Sequence, residues 1–179
     1  SGLVSAYKLA GTGHRVVLVE KRLSAGGGIW AGSLGMNEVV IQKDALGILD
    51  EIGVRYTPAG RLFTADAAAL ASALCLKAIQ AGAIYLNLMS AEDLCVHNGR
   101  VTGVVANRSM LSEALPMDPI VFSASAVIDA TGHEAALVSF LDRRNLLRRI
   151  QKHVAGEGLM DAQTGERFVQ THVAEIYPG

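Results

Sequence analysis

RVVLVEKRLSAGGGIWAGSLG, residues 15–35, runs from a short β-branched segment into a long loop dominated by glycine. RVVLVE (15–20) is an apolar run of strand length, the pattern of a buried strand, and it ends on an acid, Glu20. Behind it come Gly26, Gly27, Gly28, Ala31, Gly32, Ser33 and Gly35, none of which a regular element requires. Small residues of this kind let backbone approach a ligand closely, at a cost in conformational entropy. A plain flexible loop is the alternative, and Trp30 within it is either a lid or a core anchor.

Upstream, SGLVSAYKLAGTGH (1–14) spaces Leu3, Tyr7 and Ala10 as a helix does and stops at Gly11 and Gly13. Helix, strand and acidic strand end together suggest a Rossmann-like dinucleotide site. There an acid closing the second strand accepts hydrogen bonds from ribose hydroxyls, about 20 residues after the glycine fingerprint. Gly2 precedes Glu20 by 18 positions, so Gly2 stands where the last fingerprint glycine lets the helix pack tightly on the sheet. The strand and glycines that would precede it are not in the 179 residues. The competing reading of Glu20 is a carboxylate at a strand end facing water.

Downstream, NEVVIQ (37–42) predicts a strand and KDALGILDEIG (43–53) a helix ending at Gly53. VRYTPAGRLFTAD (54–66) holds two extended pieces about a turn, and Asp66 caps a long alanine-rich helix reaching about Ala81. Asn98-Gly99 is a two-residue hairpin turn between alternating strands. PIVFSASAVIDATG (119–132) reads as two more strands forming an apolar hairpin, and GHEAALVSFLDRRNLLRRI (132–150) as a helix with a basic last turn. The expected class is α/β: one Rossmann-like dinucleotide-binding domain over 1–179 with a β-meander insertion, incomplete at both ends.

Composition narrows the function. Half of the residues are hydrophobic and 18% charged, with net charge −1 and no long basic run, which argues against nucleic acid or an anionic membrane surface as partner. The apolar segment 67–89 is interrupted by Lys77, Gln80 and Asn87, too polar for a membrane span. Cys75 and Cys95 form no CxxC pair and no disulfide framework, which suits a cytoplasmic setting. His14, His97, His153 and His172 fit surface positions.

MDPIVFSASAVIDATGHE (117–134) carries a carboxylate, Asp118, and an imidazole, His133, near its two ends. One reading is structural: Asp118 starts a turn before Pro119 and His133 caps a helix. The other is chemical: hairpin ends lie side by side and the two groups share a metal ion.

VVLVEKRLSAGGGIWAG, ADAAAL, AEDL, MDP, VIDATGHEA and EIYPG, in this order and spacing, resemble the thiamine thiazole synthase family over nearly the whole chain. The resemblance implies an enzyme that builds an adenylated thiazole carboxylate from NAD, glycine and a sulfur source. It implies that Ser1 lies near the diphosphate, Glu20 and Lys21 at the adenosine ribose, Gly28 along the ligand and Ala91 on the adenine side. Pro116, Met117 and Asp118 fall in the ligand-contacting stretch. Asp118 and His133 match ligands of Fe(II) in a site shared between subunits of an oligomer. A generic FAD- or NAD-dependent oxidoreductase of the same fold, and a non-catalytic NAD-binding homologue, are the alternatives.

The chain departs from the pattern at two places. Pro116 stands where fungal and plant members carry a sulfur-donating cysteine and many archaeal members a histidine. Proline offers neither nucleophile nor donor, so no catalytic side chain is assigned and sulfide is the expected sulfur source. Family members also continue past the sequence of residues 175–179 into a segment with an arginine for the glycine carboxylate. Arg22, Arg61, Arg100, Arg108, Arg143, Arg144, Arg148 and Arg149 are expected to be surface charge instead, and Cys75 and Cys95 fillers rather than sulfur donors.

Overall fold

The computed structural model describes residues 1–31, 37–109 and 118–147. Helix α1 (Gly2–Gly11) leads into strand β1 (Val17–Glu20), which pairs in parallel with β5 (Ile84–Asn87), Glu20 opposite Asn87. Between them lie β2 (Glu38–Ile41), helix α2 (Leu46–Ile52), β3 (Tyr56–Ala59), β4 (Leu62–Asp66) and helix α3 (Ala67–Gln80). Strands β2, β4 and β3 form an antiparallel sheet in that order. The meander β6 (Met89–His97), β7 (Arg100–Arg108) and β8 (Ile120–Ser123) is the third sheet, followed by helix α4 (Ala136–Arg143).

Local chemistry explains most boundaries. Asp66 Oδ1 accepts from Ala69 N at 2.6 Å, the expected cap of α3. Gly53 ends α2 at φ 77°, a left-handed conformation that glycine adopts without steric cost. Asn98 and Gly99, at φ 51° and 74°, make the tight turn joining β6 to β7.

The main core joins Leu3 of α1, Ala25 of the glycine loop, Ile41, Leu49, Ile52, Val54, Ala65, and Leu70 and Leu74 of α3. Ala6, Ala10 and Ala78 sit between α1 and α3, where small side chains let the helices approach. Glu51 of α2 accepts from Lys8 Nζ and Tyr7 Oη of α1, and those donors, Lys8 first, hold its carboxyl below the ordinary range.

Three expectations change. Strand β1 is only partly covered: Val17 is 42% exposed, because among the described residues β1 has a strand on one edge only. The apolar hairpin over 119–132 does not form. Strand β8 pairs with β7, Ile120 opposite Ala106, and residues 125–130 have no ladder partner among the described residues. The expected helix over 132–150 is shorter: a single 3₁₀ turn, Gly132–Glu134, precedes α4, and the chain reverses at Ala135, φ 40°. Residues 148–150 and 151–179 lie outside the described residues.

Candidate functional site

The C-terminal end of β1 is the meeting point of the structure. Glu20 is partly buried, and its Oε1 accepts from Arg22 N at 2.8 Å, which turns the chain sharply and aims the carboxylate. Each carboxylate oxygen has two acceptor sites, so this bond leaves capacity for hydroxyl donors. Lys21 Nζ lies 3.0 Å from Glu134 Oε2, and Lys21 O accepts from Ser109 Oγ at 2.7 Å. Arg22 O accepts from Leu88 N at 3.3 Å, and Leu88 O accepts from Ser109 N at 2.9 Å. The end of β1, the start of β6, the end of β7 and the 3₁₀ turn therefore share one rim. Ala91 lies on β6 beside this rim, half-buried, where the β6–β7 register shifts between Ala91 and Asp93.

Helix α1 begins on the same side. Ser1 is its N-cap, with its carbonyl accepting from Ser5 N at 3.0 Å. A Cβ added to Gly2 would lie 3.0 Å from Ala130 Cβ and 3.6 Å from Leu18 Cδ1, tighter than ordinary contact on the first count. Gly2 thus lets the Ala130-Thr131-Gly132 segment approach α1 closely, while its contact with the strand residue Leu18 is an ordinary one.

In the glycine loop, Gly26 is obligatory: φ is 126°, and an added Cβ would meet Trp30 Nε1 at 2.8 Å and Ala71 Cβ at 2.9 Å. Trp30 Nε1 donates to Ala25 O at 2.7 Å, so the indole anchors the loop instead of acting as a free lid, though 40% of it is exposed. A 3₁₀ turn, Gly27–Ala31, lies within the loop. Gly28 within it is exposed, and an added Cβ would meet nothing within 4 Å. Gly32, Ser33 and Gly35 lie outside the described residues.

Asp118 is exposed, two residues ahead of β8. The β7–β8 register, carried on from Ala106 opposite Ile120, brings Asp118 level with Arg108, next to the Ser109 that bonds Lys21. His133 is the middle residue of the 3₁₀ turn, next to the Glu134 that pairs with Lys21. The two residues reach the rim by separate routes, one through the meander and one through the segment before α4. They are not opposite ends of one hairpin. Pro116 and Met117 lie outside the described residues.

The helix-capping role weighed for His133 is filled by two residues that the sequence did not single out. Thr131 Oγ1 accepts from Ala136 N at 2.7 Å, and Asp129 Oδ2 accepts from Val138 N at 2.9 Å, which satisfies two of the N–H groups in the first turn of α4. Aspartate and threonine just ahead of a helix were the available signal; a strand reading of 125–130 hid it. Arg144 is likewise more than surface charge. It pairs with Asp93 and donates to Leu94 O at 3.4 Å, tying α4 to β6 and lowering the Asp93 carboxyl from its ordinary range. Burial raises the Cys75 thiol, which disfavours the thiolate a sulfur donor needs.

The model of the Thi4 family matches residues 1–179. The chain belongs to the Thi4 family. Thiamine thiazole synthase of Thermococcus kodakarensis is 44% identical over 181 residues, covering 100% of this chain and 70% of that protein. The enzyme of the same name from Thermotoga maritima is 42% identical over 180 residues, with the same coverage. Among solved structures, THI4 of Thermovibrio ammonificans aligns with a TM-score of 0.80 at 41% identity, over 92% of this chain and 65% of that one. A geranylgeranyl bacteriochlorophyll reductase-like protein of Thermoplasma acidophilum, TM-score 0.58 at 17% identity over 83% of this chain and 41% of its own, shares the fold. The architecture of this Thi4 family chain is α/β and Rossmann-like, with a parallel pair and antiparallel sheets. Among its described residues no helix is long and apolar enough to cross a membrane.

Proposed function

We propose that this chain serves thiamine thiazole biosynthesis, forming an adenylated thiazole carboxylate from NAD, glycine and sulfide. The observation that carries the reading is the match to the Thi4 family along all 179 residues. The rim at the end of β1 supports it in chemistry. Glu20 accepts hydrogen bonds from the hydroxyls of the adenosine ribose, and Lys21, held by Glu134 and Ser109, stands beside it. Ser1 at the start of α1 and Gly28 on the open face of the loop border the diphosphate path, and Ala91 borders adenine. Met117, with Pro116 before it, completes the ligand-contacting stretch ahead of Asp118.

Asp118 and His133 are the proposed ligands of ferrous iron. Their donor set fits: a carboxylate oxygen and an imidazole nitrogen suit divalent iron and leave positions for substrate. When bound, the metal supplies Lewis acidity and a template for sulfide. Pro116 supplies no sulfur, so sulfide comes from solution, and the site is completed between subunits of a cytoplasmic oligomer. The test is mass spectrometry of small molecules carried through purification, followed by incubation with NAD, glycine, Fe(II) and sulfide. An adenylated thiazole or ADP-ribose is expected in the first and thiazole formation in the second. A bound flavin, with no thiazole formed, would point to an oxidoreductase instead.

A further inference from the structure

We infer that Asp129 is a positioning residue that fixes the turn carrying His133. The inference rests on the proposed role of His133 as a metal ligand. The carboxylate works on both sides of the turn. Its Oδ1 accepts from Thr131 N at 2.9 Å and Thr131 Oγ1 at 2.7 Å, and its Oδ2 accepts from Val138 N at 2.9 Å. The Thr131 hydroxyl passes the tie on by accepting from Ala136 N at 2.7 Å. Gly132, His133, Glu134 and Ala135 are the loop these bonds close.

That loop holds an unfavourable backbone conformation. Ala135 sits at φ 40°, a left-handed geometry that a Cβ disfavours. Gly132 is left-handed too, at φ 84°. Glycine takes that geometry without steric cost, so the strain sits at Ala135, which persists there only where surrounding bonds over-determine it. Ala130, against Gly2, fixes the loop's entry, and the Asp129–Thr131 bonds fix its exit into α4. Accepting from Val138 N takes only one of the two carboxylate oxygens. The second carboxylate oxygen is spent on Thr131, ahead of the turn, which sets where the His133 backbone begins.

Cobalt(II) titration of the purified protein, read by its visible absorption band, tests this with NAD affinity as control. Wild type is expected to bind cobalt and His133→Ala to lose it; if either fails, the metal reading falls and this inference with it. Asp129→Asn keeps the shape but sets an amide N–H against one of the two backbone donors, Val138 N or Thr131 N. It is expected to weaken cobalt binding by about tenfold and shift the band, as supporting-residue changes at metal sites do, while NAD affinity holds. Thr131→Val should behave alike and Thr131→Ser should restore the wild-type band, a comparison that decides the matter even where the Asp129 variant does not fold. An unchanged band in Thr131→Val, or equal loss of cobalt and NAD affinity in each variant that folds, overturns the assignment.

Discussion

Lys21 Nζ and Glu134 Oε2 meet at 3.0 Å across 113 residues of chain, joining the end of β1 to the turn that carries His133. Their side chains are 49% and 67% exposed, so water screens the pair and it contributes little to folding. Glu134→Gln should therefore change the unfolding free energy by less than about 1 kcal/mol. Urea denaturation checks this. A loss of several kcal/mol would mean that the contact holds the fold together and does not merely link two parts of the site.

Glu20 is already bonded to Arg22 N, so its removal disturbs a turn as well as a ligand contact. Glu20→Ala is expected to weaken NAD binding by about 1–3 kcal/mol, the worth of hydrogen bonds to a charged group. Glu20→Gln keeps an acceptor for Arg22 N and separates the two effects. Calorimetric titration with NAD is the measurement, and equal affinity in Glu20→Ala and wild type would remove Glu20 from the nucleotide site.

Local signals were legible in the sequence where their partners are close along the chain. Asp66 and its helix, Asn98-Gly99 and its strands, and Gly53 at the end of α2 all depend on neighbours within a few residues. Glu20 at the strand end was legible from the β-branched run before it, although that run pairs with β5, Glu20 opposite Asn87. The 125–130 segment was not, because an apolar run becomes a strand only when another strand lies beside it, and β8 found its partner in β7. Asp129 was hidden by that error, since a carboxylate read as a strand residue gives no hint of capping a helix. Arg144 looked like surface charge because its partner, Asp93, is 51 residues away.

Asp118→Ala and His133→Ala should each abolish Fe(II) binding while leaving the melting temperature nearly unchanged. Asp118 is exposed and outside any strand, so its truncation removes no core contact. Metal analysis after anaerobic reconstitution, set beside a thermal melt, gives both readings. Full iron retention in either variant would rule out that residue as a ligand.

Gly26→Ala should destabilise the protein by about 1–3 kcal/mol, the range for a strained backbone position. The new methyl would clash with both Trp30 Nε1 at 2.8 Å and Ala71 Cβ at 2.9 Å, and φ 126° penalises any Cβ there. Gly28→Ala is the matched control, since its added Cβ meets nothing within 4 Å. Comparable stability of the two variants in urea would contradict the anchoring role of Trp30.

The Asp93–Arg144 pair predicts an acid-side effect of definite sign. Arg144 holds the folded-state pKa of Asp93 below its ordinary value of 3.8. A depressed carboxylate pKa contributes stability that is complete above the unfolded value and fades as pH falls through the folded one. Wild type should therefore lose this contribution below about pH 3.8, whereas Arg144→Leu should lack it already at neutral pH. The gap between the two proteins is expected to narrow on acidification. Because both side chains are more than a third exposed, the gap should be small and reduced by salt. Urea midpoints from pH 7 down to about pH 3 would trace it. A gap that stayed constant toward low pH would show that Arg144 holds α4 to β6 through its packing and its bond to Leu94 O, with the Asp93 charge irrelevant.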